Sequence, residues 1–198
     1  MQIMSSIRRR IGWIGFILLV VAGVSSISGM FASEIPAGAH AATSPQAAST
    51  ARIGKSGLPV PRFASLKNRR VNVRKGPSQN HSIAWQFQRA GLPVEITRES
   101  ENWRMIRDSE GEEGWVFHSL LSGARTAVVA PWDRDVVLRM LRDSADRSAD
   151  ALARIEPEVV VSVERCDGSW CEVDAKGYRG WIEQADLWGV YAGEVIGR

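Results

Sequence analysis

From residue 62 onward the apolar positions fall in short alternating runs: 63–66, 71–73, 83–87, 94–97, 103–106 and 115–117. Side chains on a strand point to opposite faces in turn, so such runs predict half-buried β-strands rather than helices. Between them stand turn-forming clusters such as Lys75-Gly76-Pro77-Ser78 and Gly91-Leu92-Pro93. Closely spaced short strands with turn signals predict a small barrel or sandwich. After Gly123-Ala124-Arg125-Thr126 the pattern resumes at 136–141, 151–153 and 159–163, with Pro157 read as the counterpart of Pro93. The stretch 143–155 has the propensity for a short helix, but an irregular or one-turn insertion within a second barrel is the preferred reading.

A repeat supports this division. Asn102-Trp103-Arg104-Met105-Ile106 is followed by Gly114-Trp115-Val116, and Ser169-Trp170-Cys171-Glu172-Val173 by Gly180-Trp181-Ile182. Self-similarity at this spacing implies two copies of one β unit. A glycine before a bulky residue suits a place where one backbone passes close to another. Trp115 and Trp181 are read as filling cores too small to dispense with large side chains, whereas Trp103 and Trp170 are divided between core and groove. Trp85, Trp132 and Trp188 have no counterpart in the other copy and are the groove or interface candidates.

Upstream, Arg8-Arg9-Arg10 precedes an apolar run from residue 11 to 24, and Ala39-His40-Ala41 offers a cleavage site. This composition predicts a signal peptide over residues 1–41, or an N-terminal membrane anchor if it is not cut. The protein is thus expected to be exported, to the periplasm or cell envelope, touching the membrane only through that segment. Residues 42–60, rich in Ala, Ser, Thr, Pro and Gly, read as a flexible tether.

The net charge of +3 conceals an asymmetry. Residues 42–125 carry 13 Lys/Arg against 7 Asp/Glu, and residues 126–198 carry 9 against 14. The chain is an electrostatic dipole, and its net charge gives no case for nucleic acid as a partner. The basic run Lys67, Arg69, Arg70, Arg74, Lys75 could contact anionic polymers, or the acidic second unit at Asp143, Asp146 and Asp150, within one chain or between two.

Cys166 and Cys171 flank the turn Asp167-Gly168-Ser169-Trp170, where their side chains can meet across a hairpin, and export to an oxidising compartment predicts a disulfide. No cluster has the spacing of a metal site, no cofactor motif is present, and no nucleophile–base pair suggests an enzyme.

The run Val71-Asn72-Val73-Arg74-Lys75-Gly76-Pro77-Ser78 resembles the opening signature of bacterial SH3-like (SH3b) domains. The resemblance continues through Gly91-Leu92-Pro93-Val94, the Trp103 strand, Gly114-Trp115-Val116 and Leu120-Leu121, covering about residues 61–122. A looser copy runs from about 136 to 188; there Arg142-Asp143-Ser144-Ala145-Asp146 replaces Arg74 to Ser78 and the Gly-Pro turn is lost. The resemblance implies an all-β chain of two tandem SH3-like barrels, over 61–124 and 133–190, with no intrinsic catalysis. Relatives of the module commonly bind cell-wall peptides or glycans, so peptidoglycan is the leading partner. A protein-interaction scaffold in the periplasm and a cell-wall hydrolase accessory are the alternatives. The candidate binding residues are Trp85, Trp103, Arg69, Arg70 and Arg74, all in the first unit.

Overall fold

The computed structural model describes residues 52–133 and 135–197. The expected signal peptide or anchor, and the tether as far as residue 51, lie outside the described residues. A hairpin first pairs β1 (Arg52–Ile53) with β2 (Pro59–Val60), within the stretch expected to be tether. One curled antiparallel sheet follows, built from β3 (Arg62–Leu66), β4 (Val71–Arg74), β5 (Ile83–Phe87), β6 (Pro93–Ser100), β7 (Trp103–Arg107), β8 (Glu113–Phe117) and β9 (Leu121–Ser122). Its spatial order is β5-β4-β8-β7-β6-β3-β9.

A second sheet comprises β10 (Thr126–Val129), β11 (Arg139–Arg142), β12 (Ala151–Ile155), β13 (Val160–Asp167), β14 (Trp170–Ala175), β15 (Tyr178–Glu183) and β16 (Leu187–Trp188). Its order, β12-β11-β15-β14-β13-β10-β16, repeats the first strand for strand, and β17 (Val195–Ile196) adds to β13. The chain is two tandem SH3-like barrels. No helix among the described residues is long and apolar enough to cross a membrane.

The sequence expectations need correction in three places. The run 136–141 is a strand only from Arg139. The stretch 143–150 is an irregular turn, as the preferred reading has it, and it keeps the geometry of the loop it replaces. Lys75 N–H donates to the Ser82 carbonyl and Asp143 N–H to that of Asp150, both at 3.1 Å. Arg74 and Arg142 each donate to the carbonyl seven residues on, of His81 at 2.7 Å and Ala149 at 2.6 Å. The Ser78 hydroxyl accepts from Asn80 N–H at 3.2 Å, and the Asp146 carboxylate from Ser148 N–H at 2.6 Å. A side-chain cap thus holds the turn without Gly-Pro. Pro93 has Val160 as its counterpart, since each pairs with the equivalent residue of β3 or β10.

The largest correction concerns the cores, which are aliphatic. The first is formed by Ala64, Leu66, Val71, Val73, Val94, Ile96, Ile106 and Val116, and the second is likewise built from Val, Ile, Leu, Ala and the two cysteines. Trp115 and Trp181 are only half-buried. A Cβ on Gly180 would stand 2.6 Å from the Arg142 carbonyl oxygen, and one on Gly114 would collide with Val73. The glycines therefore face inward, and alternation sends the following tryptophans to the outer face.

At the end of the β6–β7 hairpin Glu99 pairs with Arg104, and at the equivalent place in β13–β14 Cys166 pairs with Cys171, each just beyond a bulge. The first barrel is closed there by a buried ion pair and the second by a disulfide. Glu99 also accepts from the Ser56 N–H and hydroxyl and from Arg62, each at 2.8 Å, which ties the N-terminal hairpin to the barrel. Burial alone would push the Glu99 carboxyl up, but the Ser56 and Arg62 hydrogen bonds and the charge of Arg104 outweigh it and hold it at about 2.

Both barrels lie in one compact unit. Phe63 meets Trp188 edge-on, with ring centroids 5.2 Å apart, and tilts against Tyr191 at 4.8 Å. The Tyr191 hydroxyl donates to Glu95 at 2.9 Å, and burial and that carboxylate raise its pKa well above the ordinary value. Arg125 holds the same C-terminal segment through Glu194, at 2.7 and 2.9 Å. Trp188 is thus an interface residue. Within the chain the basic run does not dock on Asp143, Asp146 and Asp150; among the described residues no hydrogen bond or ion pair joins them.

Gly180→Ala destabilises the protein by about 1–3 kcal/mol in chemical denaturation, because backbone blocks its methyl. Gly123→Ala, with nothing within 4 Å of its Cβ, changes stability little. For Glu99 the folded pKa lies below the ordinary 4.5, so its contribution is present above that value and is lost as pH falls toward 2. Unfolding measured from pH 6 to pH ~2.5 shows a loss of about 2.5 kcal/mol from this group. Glu99→Gln flattens that dependence and lowers stability at neutral pH, since Arg62 and Arg104 lose their buried partner.

Candidate functional site

Strand alternation places Val71 and Val73 in the first core and turns Arg70, Asn72 and Arg74 outward. On the neighbouring β7–β8 hairpin Trp103 lies opposite Phe117 and Met105 opposite Trp115, while Ile106 and Val116 point inward. β4 and β8 pair at Arg74 and Trp115. Beyond that point a cavity of about 320 Å³ opens, lined by Arg70, Asn72, Arg74, Gln79, Trp103, Phe117, Ser119 and Leu120.

Its aromatic wall is Trp103, 8% exposed, with Phe117 edge-on at 5.4 Å and 77°. The two arginines differ in freedom. Arg74 is steadied by its bond to the His81 carbonyl, whereas Arg70 has no hydrogen-bond or ion-pair partner among the described residues. Among the described residues no carboxylate lines the cavity, and its polar groups there are two cations and neutral amide and hydroxyl groups. Such a site can stack a flat apolar or sugar face on the indole while the guanidinium groups take carboxylate or phosphate oxygens.

Of the residues singled out in the sequence, Arg70, Arg74 and Trp103 come together here. Arg69 does not line the cavity; its Nε donates to the Gln88 carbonyl at 3.3 Å. Trp85 packs half-buried against the first core and meets Phe87 edge-on at 6.2 Å, also away from the cavity. Asn72, Gln79, Phe117, Ser119 and Leu120 were not foreseen. Phe117 could have been found from its pairing with Trp103 across the hairpin, but Ser119 and Leu120 sit on a single 3-10 turn, His118–Leu120, that the sequence did not signal.

The second barrel builds the corresponding groove from different side chains. Glu183 pairs with Trp170 across β14–β15, and Arg147 bridges to Glu183 with bonds of 2.9 and 2.7 Å. Arg139 is pinned to Asp186 at 2.6 Å and to Asp133. An aromatic, cation-lined recess in the first barrel thus corresponds to an ion-paired surface in the second. No group of three or more His, Cys, Asp or Glu side chains able to hold a metal occurs among the described residues.

Comparison with known proteins gives a family match: the family described as Bacterial SH3 domain matches residues 67–123 and 136–189. No curated protein matches the chain. Among solved structures, NlpC2 from Trichomonas vaginalis is similar at 16% identity with a TM-score of 0.29, over 65% of this chain and 48% of that one. NlpC1 from the same organism is similar at 16% identity and a TM-score of 0.29, over 64% and 45%. The chain thus spans less than half the length of either structure.

Proposed function

We propose, on the premise that this chain belongs to the bacterial SH3 domain family, that it is a non-enzymatic, exported binding module of the cell envelope. Its first barrel holds cell-wall peptidoglycan, through peptide or glycan, in the recess between Arg70, Arg74 and Trp103. The observation that carries this reading is the cavity itself: aromatic on one side, cationic on the other, and without a carboxylate.

The spacing narrows the ligand. Arg70 and Arg74 are four residues apart on nearly extended chain, roughly 13 Å at about 3.3 Å per residue. An elongated ligand with more than one anionic group can engage both cations, and a carboxylate-bearing cell-wall peptide has that form. Sugar rings can use the Trp103 and Phe117 faces between them. The second barrel, its groove bridged by Arg147 and Glu183, supports the first rather than duplicating the site.

Incubating the native protein with purified cell wall and pelleting the wall tests this. At low salt the protein pellets with the wall, and Arg70→Glu weakens the binding by about tenfold or more, the loss of one charge-assisted contact. Arg179→Glu, exposed on the second barrel, leaves it unchanged. Recovery of the unmodified protein wholly in the supernatant overturns the reading.

A further inference from the structure

The second barrel exposes an apolar surface that its fold does not require. Trp132, Val136, Val137 and Leu138 lie on the chain leading into β11, Met140 on β11 and Leu152 on β12; all are more than a third exposed, and Val136 is 75% exposed. Exposed apolar patches of this kind on a soluble domain mark interaction surfaces. This one is held in place, since Arg139 at its base is pinned to Asp133 and Asp186. Exposed carboxylates of Asp135, Asp143 and Asp150 stand in the same two loops.

The first barrel carries the opposite charge in the corresponding loops. The matching loop bonds set Lys75 against Asp143, and the same offset carried back from the start of β11 sets Arg69 and Arg70 against Val137 and Leu138; Lys67, whose N–H donates to Leu120 as that of Ala130 donates to Asp186, precedes the longer connection that carries Asp135. One pair of loops therefore surrounds an aromatic cavity with cations in one copy and flanks an apolar projection with carboxylates in the other. Within a molecule these surfaces do not meet, because the barrels join through Phe63, Trp188, Tyr191 and Glu95. No described residue covers either surface.

We propose that the surface formed by Trp132 and residues 135–140 docks a second copy of this chain, whose first barrel presents its cation-rimmed cavity to the acid-rimmed apolar loop. Each molecule carries one surface of each kind, so a two-fold arrangement makes two such contacts at once and closes. Opposed charge steers the encounter and is screened by salt; the apolar loop supplies area that salt does not weaken. This goes beyond wall binding and is read in its absence, so the two proposals fail separately.

Sedimentation velocity of the native protein is measured at ionic strengths of about 0.01 M and about 1 M, where the Debye length is about 30 Å and about 3 Å. The expected result is a particle of about twice the monomer mass at low ionic strength and the monomer at high. Lys67→Glu with Arg69→Glu and Lys75→Glu, all outside the cavity, gives a monomer, as does Asp135→Lys with Asp143→Lys and Asp150→Lys. Mixing the two charge-reversed proteins restores the dimer. The single exposed change Val137→Asp weakens self-association by more than tenfold, and unchanged thermal unfolding shows each variant to be folded. A protein that stays monomeric at low ionic strength, association indifferent to salt and to both charge reversals, or a mixture that remains monomeric overturns the proposal.

Discussion

The inward-facing glycine at 114 and 180 is the constraint from which the rest of the arrangement follows. A side chain there would run into the strand it crosses, at Val73 in one barrel and at the Arg142 carbonyl in the other. With glycine fixed inward, alternation fixes Val116 and Ile182 inward as well and Trp115 and Trp181 outward. The hairpin register carries this across to the neighbouring strand: Ile106 and Val173 enter the cores, while Trp103 and Trp170 are left on the outer face. The interiors are then filled by Val, Ile, Leu and Ala; Trp115, Trp170 and Trp181 lie half-buried outside them, and Trp103, only 8% exposed, forms a wall of the cavity.

On this shared skeleton the two copies have diverged in how they close and what they display. A buried carboxylate–guanidinium pair at Glu99 and Arg104 corresponds to a disulfide at Cys166 and Cys171. The carboxylate does a second task that a disulfide cannot, collecting Ser56 and Arg62 and thereby docking the preceding hairpin. The grooves differ in the same way. Phe117 and Gln79 of the first correspond to Glu183 and Arg147 of the second, whose ion pair crosses the space left open in the first barrel. An aromatic and hydrogen-bonded junction through Phe63, Trp188, Tyr191 and Glu95 joins the barrels, and the charged loops take no part in it.

The duplicated barrel was legible because the Trp and Gly-Trp spacing repeats and the runs alternate. The cysteine pair was legible because a short turn separates its members. Tryptophan burial was misread by treating the indoles as filler for small cores; the parity rule applied to Gly114 and Trp115 places them outside. Parity also brings Arg70, Asn72 and Arg74 to one face of β4. Nothing in local pattern revealed the 3-10 turn carrying Ser119 and Leu120, or Tyr191 and Glu194 reaching back after the last repeated strand, because those positions are set by tertiary contact. The second loop kept its shape after losing Gly-Pro because its backbone bonds and the Asp146 cap suffice, a substitution that sequence similarity scores as a loss.

The central claim is that outward aromatic side chains of the first barrel form the recognition surface. Following the indole N–H resonances of the isotope-labelled protein during titration with solubilised cell-wall fragments tests it most directly. The account predicts that the Trp103 signal shifts, together with the side-chain amides of Asn72 and Gln79, while Trp170 and Trp181 stay in place. Shifts confined to the second barrel, or none at saturating fragment, contradict it.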